Sequence, residues 1–467
     1  MLRPIATNSA LRTMAVVART YASMAAPAAI ELTELSNGLA VAASHTPHAN
    51  HNSISLTFNT GSSVESRYNS GVSNVWSHYF KSRDVAALAA REGFTLDSKV
   101  NKESQTFTLS SANPNNAPKM LAFFQRNLVD EFNTGANLGK KFDAVRATAA
   151  LEAENLDINN HDAYLLEHLH ATAFQNTPLA LPTRGSQESI ESLEAGDLMK
   201  FAKDNYHSRN ATVVSTGNIT PDAVMKAIEG NLSLTTTPTT ESVTRATSSF
   251  LGSEIRLRDD TLPKAWVSIA VESEPINSPD YLVAKLASHI YGSYDAHEPR
   301  SRMQGIKLVD KVQDYQLCDS FRHFNFSYRD SGLWGFMTEI SDPSNVDEMV
   351  HFTLKQWNRL SVSVTETELQ RAKAMLKLEL GILFDQLAAD SAKLADKVVS
   401  GDTTFYLNNS ANLDQLFAQV DALTVKDLKR WANKRVWDQD IAVAGHGQIE
   451  DLLDYMRMRN DMSMMRW

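Results

Sequence analysis

The chain has 467 residues, 43% of them hydrophobic and 21% charged, and a net charge of −10 at pH 7. This length predicts two or three domains. The net negative charge argues against a nucleic-acid-binding protein. No apolar run approaches the roughly 18 residues that a membrane span needs. The single cysteine, Cys318, excludes an internal disulfide framework and any cysteine-based zinc site.

The first thirty residues differ in composition from the rest. They contain three arginines, the last of which is Arg19, and no acidic residue before Glu31. An acid-free, arginine-bearing segment rich in alanine and serine is typical of a mitochondrial presequence, although a disordered cationic arm has the same composition. Because Arg19 lies three residues before Ala22, we expect a presequence over residues 1–21 and a mature chain that begins at or near Ala22.

An incomplete zinc-protease motif lies on a helix that follows the first alternating strand, residues 53–58. The complete motif, H-x-x-E-H, places two zinc-binding histidines one helical turn apart beside a glutamate that polarises the metal-bound water. Here Asn74 and Ser77 replace the first histidine and the glutamate, and only His78 remains. A serine hydroxyl is no general base near neutral pH and one imidazole does not hold catalytic zinc, so we predict no metal site, no cofactor and no peptidase activity.

The order of elements around this helix resembles that of the pitrilysin-type metalloprotease family: strand, motif-bearing helix, loop and a second strand at 105–109. In that family a later helix supplies a glutamate as third zinc ligand. Residues 148–154 resemble this segment and put Glu152 at the ligand position, and the run 167–174 resembles the mitochondrial processing peptidase branch. An ordinary helix histidine and a surface glutamate remain the simpler interpretation of His78 and Glu152.

The resemblance also implies a contribution from the second domain. In active members an arginine and an aromatic residue of that domain lie near the scissile bond. Arg302 matches the arginine, and Gln304 occupies the aromatic position. This is a second loss on the same catalytic surface.

Two other groups of histidines have the spacing of possible ligands. His45, His48 and His51 flank Pro47, so they indicate a solvated turn between strands, with a metal site as the alternative. His168 and His170 are two residues apart on a predicted helix and therefore face different ways.

An internal repeat determines the predicted architecture. Residues 190–219 align without a gap with residues 420–449, and Gly217 aligns with Gly447. Both copies predict an amphipathic helix, a loop and an apolar strand that ends in a glycine turn. We therefore predict an α+β fold of two homologous domains, each a mostly antiparallel or mixed sheet with helices packed on one face.

Other parts of the two domains correspond more loosely. Ser278, as N-cap before Pro279, predicts the start of a helix that matches the motif-bearing helix. Thr365 and Glu368 form a capping box that opens a long helix, and the first-half counterpart of that helix carries Glu152. The Ser/Thr-rich stretch 231–249 indicates a linker between an N-terminal peptidase-like domain, 27–230, and a C-terminal one, 250–467.

Segments without any catalytic motif carry a narrower resemblance, to the core protein 1 family of fungal ubiquinol–cytochrome c reductase, respiratory complex III. They are residues 168–185, 250–281, 351–360 and 454–467. The resemblance implies a non-catalytic structural subunit that pairs with core protein 2 and assembles with cytochrome b, the c-type cytochrome and the iron–sulfur protein. It also implies a peripheral position on the matrix side of the mitochondrial inner membrane.

Two alternatives remain open: a zinc-dependent processing peptidase subunit, and a module that binds presequences without cutting them. The methionine-rich C-terminus, from Met456 onward, is expected to contact partner subunits, because methionine adapts to irregular apolar surfaces.

Overall fold

The structure is a computed structural model, which describes residues 30–47, 49–235, 246–402 and 413–463. Its strands are β1 (Ile30–Glu34), β2 (Ala40–His45), β3 (Asn52–Phe58), β4 (Thr95–Val100), β5 (Gln105–Ser111), β6 (Ala211–Gly217), β7 (Ser253–Arg258), β8 (Ala265–Ser273), β9 (Ser293–Asp295), β10 (Ser320–Ser327), β11 (Gly332–Ile340) and β12 (Ala442–Gly447).

The α-helices of the first half are α1 (Val72–Phe80), α2 (Arg83–Glu92), α3 (Ala117–Phe124), α4 (Asp130–Thr134), α5 (Leu138–Asn159), α6 (His161–Ala173), α7 (Gln187–Ser192), α8 (Ala195–Asn205) and α9 (Pro221–Asn231). Those of the second half are α10 (Tyr281–Tyr291), α11 (Lys307–Tyr315), α12 (Val346–Val362), α13 (Glu366–Ala389), α14 (Ser391–Ser400), α15 (Leu413–Ala422), α16 (Val425–Arg435) and α17 (Tyr455–Asp461). Within the described ranges, no helix is both long enough and apolar enough to cross a membrane.

The strands form two six-stranded mixed sheets that match in the topology of five strands and differ in the edge strands β1 and β9. The first sheet has the order β1-β2-β6-β3-β5-β4 and the second β7-β12-β8-β11-β10-β9. Each contains one parallel pair, β2 with β6 and β7 with β12, next to a run of antiparallel strands. The predicted α+β fold with two similar halves is confirmed.

The repeat is visible in local detail. Helices α8 and α16 begin 230 residues apart and are each followed by the strand that pairs in parallel. In both helices an aspartate accepts a hydrogen bond from the N-cap backbone N–H, Asp197 from Glu194 at 3.0 Å and Asp427 from Thr424 at 3.1 Å. Both strands end at a glycine with positive φ, a conformation that disfavours side chains with a Cβ.

Each half has its own hydrophobic core between one face of its sheet and its helices. In the first core, Trp76 packs edge-on against Phe132 with ring centroids 4.9 Å apart. In the second, Trp334 packs against Trp357 and Trp431 at 4.7 and 5.5 Å. All five rings are at least nine-tenths buried, so aromatic packing contributes to both cores.

The other face of each sheet is covered by a helix from the opposite half. Helix α6 buries Leu165 and Leu169 against Trp266 and Ala270 of β8. Helix α14 lies on the first sheet, where the Ser391 hydroxyl bonds to Ser53 and Ser55 of β3 at 2.6 and 2.7 Å. The prediction placed helices on one face only; the exchanged helices add a second layer to each sheet.

Two local predictions differ in position from the structure. Helix α10 begins at Tyr281 with Asp280 as N-cap, whereas Ser278 accepts a hydrogen bond from the Asp280 N–H in the turn before it. In the C-terminal segment, Met458 and Met462 are fully buried in the core of the second half. The expectation that this methionine-rich segment serves partner contacts is therefore wrong for these two residues, while Met456 is exposed.

Candidate functional site

Helix α1, which carries the motif positions, is anchored at its start by a buried carboxylate. Glu65 accepts hydrogen bonds from the backbone N–H of Gly71 at 2.8 Å and of Ser73 at 2.9 Å. These are N–H groups that a helix leaves without internal partners. Burial raises the pKa of Glu65 to about 7, although both backbone donors and Lys102 oppose that shift.

The two replaced motif residues are engaged by the protein itself. The Asn74 side-chain amide donates to the Arg184 carbonyl at 3.2 Å. The Ser77 side chain is buried, and its hydroxyl accepts from the Ser98 hydroxyl at 2.9 Å and from the Gln105 amide at 3.3 Å. Ser77 thus joins α1 to strands β4 and β5, and Asn74 fastens α1 to the segment that contains Arg184.

The structure brings His78 and Glu152 together, as the resemblance implied. The His78 Nε2 atom lies 3.3 Å from a carboxylate oxygen of Glu152 on α5. The imidazole side chain is 7% exposed and the carboxylate side chain 50% exposed. Burial lowers the pKa of His78 even though the Glu152 carboxylate opposes the shift, so the imidazole is neutral near neutral pH.

These side chains do not fit a catalytic zinc. Such a site needs three protein ligands and an open position for water, and only one imidazole and one carboxylate meet here. Across the residues that the structure describes, no cluster of three histidine, cysteine, aspartate or glutamate side chains could hold a metal ion. The general-base position of the motif holds the Ser77 hydroxyl, which does not act as a base near neutral pH.

Arg302 and Gln304 lie in the second half, and in the part of the chain that the structure describes their side chains bond to backbone carbonyls of that half. Arg302 donates to the Ala296 carbonyl at 3.4 Å, and Gln304 donates to the Ser293 carbonyl at 3.0 Å. Both bonds fasten the turn Pro299–Met303 to its own half. Among the described contacts, the two residues thus take part in local structure.

A cavity of about 400 Å³ lies between the halves. Its wall contains an ion pair between the buried Lys102 and the partly buried Glu167, and Lys102 also donates to the Leu181 carbonyl at 2.7 Å. Although burial would raise it, the Lys102 ammonium and the Thr183 hydroxyl hold the pKa of Glu167 at about 2. No sequence pattern marks Lys102, because its partner is 65 residues away.

A second contact in the same wall joins the two halves directly. His170 on α6 lies 2.6 Å from the hydroxyl of Tyr328, which belongs to the second half. Burial, reinforced by Lys102, lowers the pKa of His170 to about 4, so the imidazole is neutral and can share this hydrogen bond. The two halves therefore meet through polar groups that satisfy each other.

The other candidate histidines lie near backbone carbonyls, and the single cysteine is buried. His45 lies 3.2 Å from the Ile219 carbonyl and His51 lies 3.1 Å from the Ala389 carbonyl, while His48 is outside the described residues. Cys318 is buried, and desolvation raises the pKa of its thiol to about 12. A buried thiol with a raised pKa is packed and unreactive.

Comparison with known proteins places this architecture. The model described as Insulinase (Peptidase family M16) matches residues 40–187, and the Peptidase M16 inactive domain matches residues 192–376. The chain is 49% identical over 452 residues to cytochrome b-c1 complex subunit 1 of Saccharomyces cerevisiae, covering 96% of this chain and 97% of that protein. The chain belongs to peptidase family M16, in the group of cytochrome b-c1 complex subunit 1.

Two further relatives agree with this placement. The mitochondrial-processing peptidase subunit beta of Neurospora crassa is 30% identical over 446 residues, which are 93% of this chain and 91% of that protein. A chain of complex III2 from Candida albicans with bound Inz-5 superimposes with a TM-score of 0.82 at 34% identity, covering 93% of this chain and all of that one. The resemblance inferred from the sequence is confirmed.

Proposed function

We propose that this chain is core subunit 1 of a mitochondrial ubiquinol–cytochrome c reductase and has no peptidase activity. The similarity to cytochrome b-c1 complex subunit 1 over nearly the whole length supports the assembly role. One structural observation supports the loss of catalysis. The Asn74 amide and the Ser77 hydroxyl, at the positions of a zinc ligand and the general base, form hydrogen bonds within the protein, and His78 is the one imidazole of the motif.

The proposal includes a place in the cell and a set of partners. A presequence over residues 1–21 directs the chain to mitochondria, where it associates peripherally with the matrix side of the inner membrane. Its partners are core protein 2, cytochrome b, the c-type cytochrome and the iron–sulfur protein. The relation to a chain of complex III2 supports this assembly.

Deletion of the gene tests the assembly role. We expect the deletion strain to lose assembled complex III, seen as reduced b- and c-type haem absorbance and reduced ubiquinol–cytochrome c activity in isolated inner membranes. Import processing of presequences should continue. The opposite pattern, lost presequence cleavage with intact complex III, would contradict the proposal and favour a processing peptidase subunit.

Metal analysis tests the missing catalysis separately. The purified mature chain, mixed with its partner subunit, should contain less than stoichiometric zinc and leave a presequence peptide uncut. A processing peptidase beta subunit with a complete motif, purified in the same way, is the positive control. One chelator-sensitive zinc per chain together with peptide cleavage would refute the non-catalytic assignment.

A second candidate function is presequence binding without cleavage, and the cavity between the halves favours it. Binding can be measured by the anisotropy of a labelled presequence peptide, with a scrambled peptide of equal charge as control. Ala163 lines the cavity, so Ala163→Trp would fill it. Specific binding that this substitution abolishes would support the second candidate; equal binding of both peptides would count against it.

A further inference from the structure

The internal repeat extends to the position of the zinc-protease motif. Helix α10 follows strand β8 in the second half as α1 follows strand β3 in the first, and both strands lie at equivalent places in their sheets. Helix α1 contains Asn74-Val75-Trp76-Ser77-His78, and helix α10 contains Lys285-Leu286-Ala287-Ser288-His289. Both helices thus carry a serine–histidine pair near their C-terminal ends.

In both halves this histidine meets a carboxylate from the neighbouring long helix. His289 Nε2 lies 2.7 Å from Glu379 on α13, which compares with 3.3 Å between His78 and Glu152 on α5. The burial also matches, since the histidine and glutamate side chains are 19% and 47% exposed in the second half and 7% and 50% in the first. A histidine–carboxylate contact therefore occurs in both halves, and in the second half it is a hydrogen bond.

Helices α5 and α13 can be aligned residue by residue, because each ends directly before the N-cap of the following helix. Helix α5 ends at Asn159 and α13 at Ala389, and in each case the next residue is the N-cap of the exchanged helix. When α13 is aligned with α5 at these ends, Glu379 lies three residues, or about one helical turn, before the position that corresponds to Glu152. The carboxylate reaches the histidine from the adjacent turn of the same helix face.

The halves differ four residues before the histidine. Asn74 bonds to a backbone carbonyl, whereas Lys285 donates to the second carboxylate oxygen of Glu379 at 3.2 Å, and its side chain is only 13% exposed. Each oxygen of Glu379 thus has one partner on α10. The hydrogen bond from His289, supported by the charge of Lys285, holds the pKa of Glu379 at about 2.

We propose that Lys285, His289 and Glu379 are the second-half counterpart of the motif site, with the Lys285 ammonium in place of a bound cation. Residues four apart on a helix share a face, so Lys285 and His289 present the geometry of the two-histidine arrangement to a carboxylate on the next helix. An ammonium has donors but no lone pair. The native triad is therefore closed to metals, and it ties α10 to α13 through charge and hydrogen bonds.

The substitution Lys285→His tests this geometry, because it would complete two imidazoles and one carboxylate without changing any other residue. We expect this variant to bind one Zn²⁺ at least about tenfold more tightly than the wild-type chain, and to give a tetrahedral Co²⁺ absorption spectrum. Lys285→Gln is the matched control and should bind no more than wild type. Adding Glu379→Gln to Lys285→His should remove the gain.

A folded Lys285→His variant without increased zinc binding would contradict the proposed geometry. If Lys285→His keeps the wild-type circular dichroism spectrum and binds zinc no better than Lys285→Gln, the three side chains do not converge as proposed and the inference is wrong. Assembly into complex III has no bearing on this titration, so its result is separate from the test of the proposed function.

A second measurement covers a variant that does not fold. The melting temperatures of Lys285→Gln, Glu379→Gln and the double variant form a mutant cycle. If the triad ties α10 to α13, the double variant loses clearly less than the sum of the two single losses. Additive losses would overturn the proposed tie between the helices.

Discussion

The buried Glu65 carboxylate should make the stability of this chain depend on pH in an unusual direction. Its pKa is raised from 4.5 to about 7, so the folded chain keeps a proton that the unfolded chain has already released between these pH values. Stability from this group therefore falls as pH rises from about 4.5 to 7 and is level above that. A shift of this size corresponds to about 3 kcal/mol.

Replacing the carboxyl by a neutral group of the same shape, Glu65→Gln, removes this dependence. We expect the difference in unfolding free energy, wild type minus variant, to decrease by about 3 kcal/mol between pH 5 and pH 8. Any loss of the bonds to Gly71 and Ser73 that does not depend on pH shifts the whole curve and leaves its slope unchanged. The difference isolates Glu65, because all other titrating groups are common to both proteins.

The assay is denaturant unfolding of both proteins at pH 5, 6, 7 and 8 at constant ionic strength. Glu34→Gln, which removes a charge from an exposed position on β1, is the control and should give a flat difference. A Glu65→Gln difference that stays within about 0.5 kcal/mol over this range would show that the carboxyl is not held neutral by burial, and would refute the reasoning.

Because α6 and α14 each pack on the sheet of the opposite half, we expect the two halves to stay together when the linker is cut. Cleavage at a protease site engineered within residues 236–245 should yield two fragments that co-elute in gel filtration. Separation of the fragments under native conditions would contradict this. The acid-free leader predicts that protein from mitochondria begins at or near Ala22, and N-terminal sequencing that finds Met1 on the assembled protein would argue against cleavage. The double substitution Asn74→His with Ser77→Glu should give a chain that binds zinc through the new histidine, His78 and Glu152. Ser77→Glu should lower the free energy of unfolding by about 2–4 kcal/mol, because it places a carboxylate in a buried site that now holds a hydroxyl. Thermal unfolding of the single and double variants measures that cost, and metal analysis the zinc; a double variant as stable as Asn74→His alone would show that the site accommodates a carboxylate.

The local features of the repeat were readable from the sequence because each depends on neighbouring residues. The start of the long helix at Thr365 depends on a side chain that bonds to the backbone N–H of Glu368, three residues away. The glycine turns at the ends of β6 and β12 are equally local. These signals, repeated at a constant offset, predicted two similar domains with antiparallel or mixed sheets, and the replaced motif residues predicted an incomplete site.

Long-range placement was decided only by the tertiary structure. The apolar pattern of α6 shows which of its faces is buried but not that the sheet of the other half buries it. In the same way, nothing near Lys102 in the sequence indicates Glu167, and nothing near His289 indicates Glu379. A side chain's local sequence fixes its chemistry and its helix face, whereas its partner depends on which distant element packs against that face.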